Sequence, residues 1–396
     1  MNFIDTIQHK ASDLFSEVVN IRRHLHANPE LSYEEVKTGK YVADKLQDFG
    51  IPFTHGVAEN GVVGIIEGKN PSKKVVALRA DMDALPIQEI NEIPYKSTVD
   101  GVMHACGHDV HTASLLGTAQ ILNEIKSSLE GSIKLIFQPA EERMPGGASI
   151  MIKEGVLENP APESILGQHV HPPLAAGKIG LKSGIYMASA DELYLTVKGK
   201  GGHGALPQDC IDPIGISIQI LSALQQVVSR KSNPTDPTVL TIGKMIANGA
   251  TNVIPNEVKM EGTFRAMNET WRMHAHEEMT RIANGIAEAM GGSCEFKIVK
   301  GYPCLINHDA LTAGTKDRSI GYLGKENVVD LPIRMTAEDF SYYSQKIPAC
   351  FYRLGTGNKA KGITSPVHTN TFNIDEKSLE LSTGLMAWLA VEELRA

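Results

Sequence analysis

The stretch from Met103 to Thr112, MHACGHDVHT, gathers His104, Cys106, His108, Asp109 and His111 within ten positions. Thiolate, imidazole and carboxylate are the donors from which proteins build transition-metal sites, so the stretch reads as half of one. The other half must come from elsewhere in the chain. Four places offer it: Asp81 and Asp83 in RADMDALP, Glu141 and Glu142 in QPAEE, His169 and His171 in GQHVHP, and His368 in SPVHTN. Neighbouring carboxylates leaving a strand point in different directions, so one can hold a cation while the other faces the water that the cation acidifies. A solvated acidic pair beside Arg143 would look the same in isolation, but this pair follows an apolar run and Pro139. His169 and His171 alternate about Val170 and share a face in extended structure. His24, His26, His55, His274, His276 and His308 lack such context and read as structural.

Convergence of these groups requires a scaffold. The run VVAL within 74–79 has the continuous apolar character of a strand buried on both faces, and it leads into Asp81 and Asp83. SIKLIF over 132–137 leads into QPAEE, and 164–167 leads into QHVH. Helical periodicity marks the chain up to about Arg23, 33–49, 112–125, 311–321 and 376–394, with Asn28-Pro29 and Gly50 as stops. A strand over 349–354 precedes the loop that carries His368. In open α/β sheets ligands sit outside the carboxyl ends of strands, which is where Asp83, Glu141, Glu142 and His169 fall in this pattern.

The character changes near Gly184. Strands at 191–197, 238–246, 258–265 and 294–300 alternate with helices at 213–229 and 269–290, in the order βαββαβ of a ferredoxin-like sandwich. The expected organisation is therefore α/β: a mixed-sheet catalytic domain over 1–183 and 301–396, interrupted by a ferredoxin-like α+β domain over 184–300. No internal repeat or low-complexity segment breaks this pattern.

The 396 residues exceed what one hydrophobic core normally supports, which agrees with two domains. A net charge of −8 without a basic stripe argues against nucleic-acid binding, and no apolar run approaches the roughly 20 residues of a membrane span. Five scattered cysteines make a poor disulfide framework, and the first residues lack the basic and apolar regions of a secretory signal, so the expected compartment is the cytoplasm. A dinucleotide-binding oxidoreductase is disfavoured because no strand is followed by a GxGxxG turn.

RADMDALP, MHACGHDVHT, QPAEE, GQHVHP, KGKGGHGALP, GATNVIP, GTFRA, TAEDFS and PVHTNTF, in that order, resemble the amidohydrolase branch of the aminoacylase and carboxypeptidase superfamily of zinc metallopeptidases. The resemblance spans essentially the whole chain. It implies a zinc-peptidase-type catalytic domain with two divalent metal ions, zinc or manganese first, with cobalt or nickel also compatible. It further implies a lid domain that forms a homodimer, and a small N-acyl-amino acid or short peptide as substrate. By motif, the ligands would be Cys106, His108, Glu142, His169 and His368. Glu141 would be the general base for a metal-activated water and then the proton donor to the leaving amine, and Asp83 would orient the site. His203 would reach the partner's site and polarise the scissile carbonyl, and Asn252 and Arg265 would hold the substrate carboxylate. The chain departs from the wider superfamily where many relatives have a ligand histidine at the place of Asp81 and a bridging aspartate at that of Asp109. Asp109 thus stays a candidate for a supporting or bridging carboxylate, and the bridging ligand is left open. A dipeptidase or carboxypeptidase could use the same groups. A catalytically silent metal- or ligand-binding relative is the alternative of another class, and the intact Glu141-Glu142 pair argues against it.

Overall fold

The computed structural model describes residues 3–396, and residues 1 and 2 of the expected first helix lie outside them. The chain parts into two compact units, one comprising residues 1–186, 306–332 and 339–396, the other 187–305 and 333–338.

The first unit is built on an eight-stranded mixed sheet. Its strands are β1 (Phe53–Val57), β2 (Gly61–Glu67), β3 (Val75–Asp81), β4 (Ser132–Gln138), β5 (Ser164–Ala175), β6 (Ile179–Leu181), β7 (Val328–Asp330) and β8 (Ala349–Gly357). They lie in the order β1-β2-β4-β3-β5-β8-β6-β7, and the central β4, β3, β5 and β8 run parallel. Every residue of β3, β4 and β8 is buried, as the apolar runs require of strands covered on both faces. Each Val or Leu so buried contributes about 1.5–3 kcal/mol. Helices Phe15–Ala27, His108–Ile125 and Lys377–Arg395 supply much of the cover.

Charged side chains are buried on these strands too, Arg79 fully. Its Nη1 donates to Asp81 at 2.5 Å, Nη2 to Asp339 at 2.7 Å, and Nε to Gln138 at 2.9 Å. A buried guanidinium with every edge matched in this way ties the end of β3 to the end of β4.

Two differences from the expectation bear on the site. Strand β5 continues to Ala175, so His169 lies within a strand and not beyond its end. Only Ser164–Gly167 pair with β3, whereas β8 pairs with β5 from Ile165 to Ala175, so the missing amide hydrogens of Pro172 and Pro173 cost no ladder bond on the β3 side. The helix after the opening stretch starts at His108, four residues earlier than its periodicity suggests. Gly107 caps it at φ +85°, and a Cβ there would come within 2.6 Å of Val170, so glycine is required for both conformation and space.

The second unit carries a four-stranded antiparallel sheet in the order Thr238–Ile246, Glu257–Ala266, Asp191–Lys198, Ser293–Lys300, with helices Pro213–Gln226 and Glu269–Ala289. This is the ferredoxin-like order. The unit runs past 300 because Asp191 and its neighbour hold the next residues: Gly301 N donates to Asp191 Oδ1, and Ala190 N donates to the Tyr302 carbonyl. It also takes 333–338, where the Arg334 and Thr336 carbonyls accept from Ala188 N. Buried Asp191 further accepts Nε of Arg272 at 2.8 Å and faces Nε2 of His276 at 2.7 Å. Among the described residues no helix is long and apolar enough to cross a membrane.

Candidate metal centre

Three imidazoles turn the same nitrogen toward one region of the first unit. His108 Nδ1 lies 3.1 Å from Asp83 Oδ1 and donates to it, and its buried Nε2 has no hydrogen-bond partner. His169 Nδ1 donates to the Val170 carbonyl at 2.8 Å, which leaves Nε2 as a lone-pair donor 3.4 Å from Cys106 Sγ. His368 Nε2 is 3.3 Å from the same sulfur and 3.1 Å from Glu142 Oε1. His368 has φ +62° in the loop after β8, and its amide is anchored on the Ala105 carbonyl at 2.8 Å. A bond at one ring nitrogen that fixes the other as the donor is how ligand imidazoles are prepared.

The donor atoms form two triads that share Cys106: one with His108 and His169, the other with Glu142 and His368, the atoms of each lying within 4.8 Å of one another. Bond lengths of about 2.3 Å to sulfur and 2.0 Å to nitrogen place two ligands of a tetrahedral zinc ion about 3.5 Å apart. The two S···N distances, 3.3 and 3.4 Å, suit that geometry. Glu141, buried, brings Oε2 to 3.9 Å from His108 Nε2.

Asp83 organises this cluster without belonging to it. It lies two residues beyond β3 and is 1% exposed. It accepts four bonds: from Ser32 Oγ at 2.6 Å, His108 Nδ1 at 3.1 Å, Glu141 N at 3.0 Å and Glu142 N at 2.9 Å. Burial opposes its charge, yet the bond and field of His108, with Ser32 and the Glu142 amide, hold its pKa below the usual carboxylate range.

The remaining donor-type residues have other work. Asp81, His108 and His111 also come close together. His111, however, spends Nδ1 on Asp81 at 2.5 Å and accepts Val170 N at Nε2, 2.9 Å away, while Asp81 is matched by Arg79. Asp109, the candidate bridging carboxylate, belongs to none of the donor groups among the described residues. It projects from the first turn of its helix toward helix Phe15–Ala27, where Oδ2 meets Arg22 Nε at 2.7 Å and His26 Nδ1 at 2.8 Å. Arg22 and His26, four apart, share the helix face that receives it. His104 is buried with both ring nitrogens unpartnered, and burial pushes it down to about 4, so it is neutral at pH 7.

The electrostatics of the cluster suit cations. Burial, then Glu142 and Glu141, push the Cys106 thiol well above its usual pKa. Such a sulfur ionises when a cation compensates it. Burial drives His169 well below its usual pKa, into the neutral form that ligation requires. His108 is raised to about 10, against burial, by Asp81 and Asp83, so without a metal it carries a proton where a cation would sit.

The residues expected to bind substrate lie in the second unit. His203 pairs with Val253 across a short antiparallel ladder, and the Asn252 carbonyl accepts Gly204 N at 2.8 Å, so His203 and Asn252 stand beside each other. The exposed His203 ring accepts Ala205 N at Nδ1, 3.1 Å away. Arg265 lies on strand Glu257–Ala266, opposite Val239, half-buried. Three groups close to the chemistry escaped the sequence reading: the Arg79–Asp81–His111 chain, the Asp109–Arg22 pair, and Glu35, whose Oε1 accepts the amide of Ala140 at 2.7 Å. Each joins segments far apart in sequence, and no local spacing signals them.

The sequence and the fold both have known relatives. Residues 77–391 match the model of peptidase family M20/M25/M40. The chain is 44% identical to an N-acyl-L-amino acid amidohydrolase of Geobacillus stearothermophilus, over 77% of this chain and 82% of that one. It is 39% identical to thermostable carboxypeptidase 2 of Saccharolobus solfataricus, over 99% of each. A Bacillus subtilis crystal structure described as a dinuclear metal binding peptidase from the M20 family superposes with a TM-score of 0.83 at 37% identity, covering 97% of this chain and 99% of that one. Agreement of sequence and fold over nearly the full length makes this chain a hydrolase of peptidase family M20/M25/M40, in its amidohydrolase branch.

Proposed function

We propose that the chain is a two-metal amidohydrolase that releases a free amino acid from an N-acyl-amino acid or a similar small amide. The observation that carries this reading is the pair of donor triads sharing Cys106, with Glu141 beside them. Cys106, His108 and His169 would hold one divalent ion and Cys106, Glu142 and His368 the other, which makes Cys106 the common donor. Two such ions, when bound, acidify a water and polarise the scissile carbonyl. Glu141 takes the proton of that water and returns it to the leaving amine. Asp83 holds the His108 tautomer and the amides of Glu141 and Glu142, so both carboxylates keep their aim. His203 assists the carbonyl in the partner subunit of a homodimer, and Asn252 and Arg265 hold the substrate carboxylate, for which a guanidinium fork is suited. The thiolate favours zinc, and the carboxylate and imidazoles also accept manganese, cobalt or nickel.

A second reading, a carboxypeptidase or dipeptidase on short peptides, is favoured by the 39% identity over 99% of the chain to a relative of that name. The two separate on a panel of N-acetyl and N-benzoyl amino acids against dipeptides, assayed after reconstitution with zinc, manganese, cobalt or nickel. The leading reading expects higher kcat/KM on the N-acyl substrates, and expects Glu141→Ala to abolish turnover while leaving metal content nearly intact. Preference for dipeptides reverses the order of the readings, and an active Glu141→Ala protein removes the mechanism.

A further inference from the structure

Three consecutive amides follow β4, and each is taken by a buried carboxylate. Ala140 N donates to Glu35 Oε1 at 2.7 Å, Glu141 N to Asp83 Oδ1 at 3.0 Å, and Glu142 N to Asp83 Oδ2 at 2.9 Å. Ala140 is fully buried at φ +53°, a left-handed conformation unfavourable for a residue with a Cβ. Its carbonyl accepts Gly147 N at 2.9 Å, so the turn is fastened from both sides. Strain of this kind persists only where the surroundings enforce it.

Glu35 is itself fully buried, and its Oε2 accepts Asn60 Nδ2 at 3.3 Å. It belongs to the segment after Pro29 that also sends Ser32 to Asp83. Burying a carboxylate near a second one is unfavourable, and the reaction scheme above makes no use of Glu35. Burial, then repulsion from Asp83, pushes it up to about 7. What this side chain does supply is the acceptor for the one amide of the strained turn that Asp83 does not reach.

We propose that Glu35 is a positioning residue for hydrolysis: together with Asp83 it clamps the amides of residues 140–142 and so fixes the aim of Glu141 and Glu142. This rests on the roles given to those two residues under Proposed function.

The test compares wild type, Glu35→Gln, Glu35→Met and Glu141→Gln as metal-loaded full-length proteins. Methionine has a similar length and no charge to bury, so it keeps the fold accessible while removing the acceptor. Glutamine keeps an acceptor oxygen for Ala140 N. Misplacement of a catalytic group by about 1 Å costs up to roughly 100-fold in rate. Glu35→Met should therefore lose about 10- to 100-fold in kcat with little change in KM, and Glu35→Gln should recover most of it. Hydrogen exchange of the 140–142 peptide should accelerate in Glu35→Met and not in Glu35→Gln, with helix Lys377–Arg395 unchanged in both. A folded Glu35→Met protein with wild-type kcat and wild-type exchange overturns the proposal, as does an equal loss in both variants that merely follows the folded fraction. Failure of the underlying roles shows separately, as turnover by Glu141→Gln, and the exchange measurement then decides the clamp without reference to activity.

Discussion

Asp83→Asn tests the centre through a residue that would touch no metal. The carboxylate accepts two donors on each oxygen: His108 Nδ1 and Glu141 N on Oδ1, Ser32 Oγ and Glu142 N on Oδ2. An asparagine offers one acceptor atom and one NH2 group, so one pair of donors must face a donor. With the NH2 on the Oδ2 side, the Ser32 hydroxyl can rotate to accept, but the Glu142 amide is stranded. With the NH2 on the Oδ1 side, His108 must move its proton to Nε2, which removes the lone pair aimed at the cluster, and the Glu141 amide is stranded. Either arrangement leaves one buried amide unsatisfied, at a cost of about 1–3 kcal/mol. The first is the milder, because it preserves the His108 tautomer, so stability should fall by that amount. Loss of the orienting charge should also weaken metal binding about 10- to 100-fold.

The two effects separate experimentally. Urea unfolding of chelator-treated protein reads the stranded amide together with the lost Asp83–His108 pairing, and calorimetric titration with zinc or manganese reads the affinity. Ser32→Ala is the control: it removes one of the four bonds at the Oδ2 side, leaves the His108 and backbone contacts in place, and should cost about 1 kcal/mol with metal affinity near wild type. An Asp83→Asn protein with unchanged urea midpoint and unchanged affinity would refute the account of Asp83 as the organiser of this turn.

Cys106→Ser should lower affinity for both ions together, since both triads include Cys106, and a cobalt-loaded protein should lose its sulfur-to-cobalt absorption band; loss at a single site would remove Cys106 as the common donor. Glu35 sets a pH dependence whose sign is fixed: the folded state keeps its proton up to about pH 7, whereas the unfolded side chain releases it near 4.5, so between these values the folded state holds the extra proton and loses stability as pH rises. At about 1.4 kcal/mol per pH unit the loss is on the order of 3 kcal/mol over that window. Metal-free wild type should therefore weaken relative to Glu35→Gln between pH 5 and pH 8 in urea melts, and parallel curves would contradict the burial assigned to Glu35.

Donor-type residues stand out where their chemistry is local: Cys106 and His108 lie two apart at a glycine that opens a helix, and Asp83, Glu141 and Glu142 follow strands whose apolar runs announce them, while the choice of ligands among them came from the family resemblance. The ferredoxin-like order of the second unit was legible for a similar reason, its strands and helices each carrying their own periodicity. What stayed hidden depends on contacts between distant segments. Asp109 looks like a ligand from its neighbours, yet its Oδ2 is held by Arg22 and His26, 87 and 83 positions away. Asp81 and His111 satisfy each other across 30 positions. Glu35 meets Ala140 across 105. The short strands β1, β6 and β7 pass unnoticed because three to five residues at a sheet margin carry too few alternations to stand out.

The charges around the centre favour the proposed cations. Asp81 is paired with Arg79, which also serves Asp339, while Glu141, Glu142 and an ionised Cys106 place negative charge at the donor triads, with Asp83 behind them. Divalent cations would offset that charge. Without them the unit must find protons instead, and it does: His108 is held protonated by Asp81 and Asp83, and Cys106 stays a thiol because burial and the two glutamates oppose its ionisation. The same buried carboxylates thus keep the metal-free unit folded around protons and favour their exchange for cations. A thiol at Cys106 is part of that economy, since it can be neutral when the site is bare and anionic when it is filled, a change that a carboxylate in its place would resist at neutral pH.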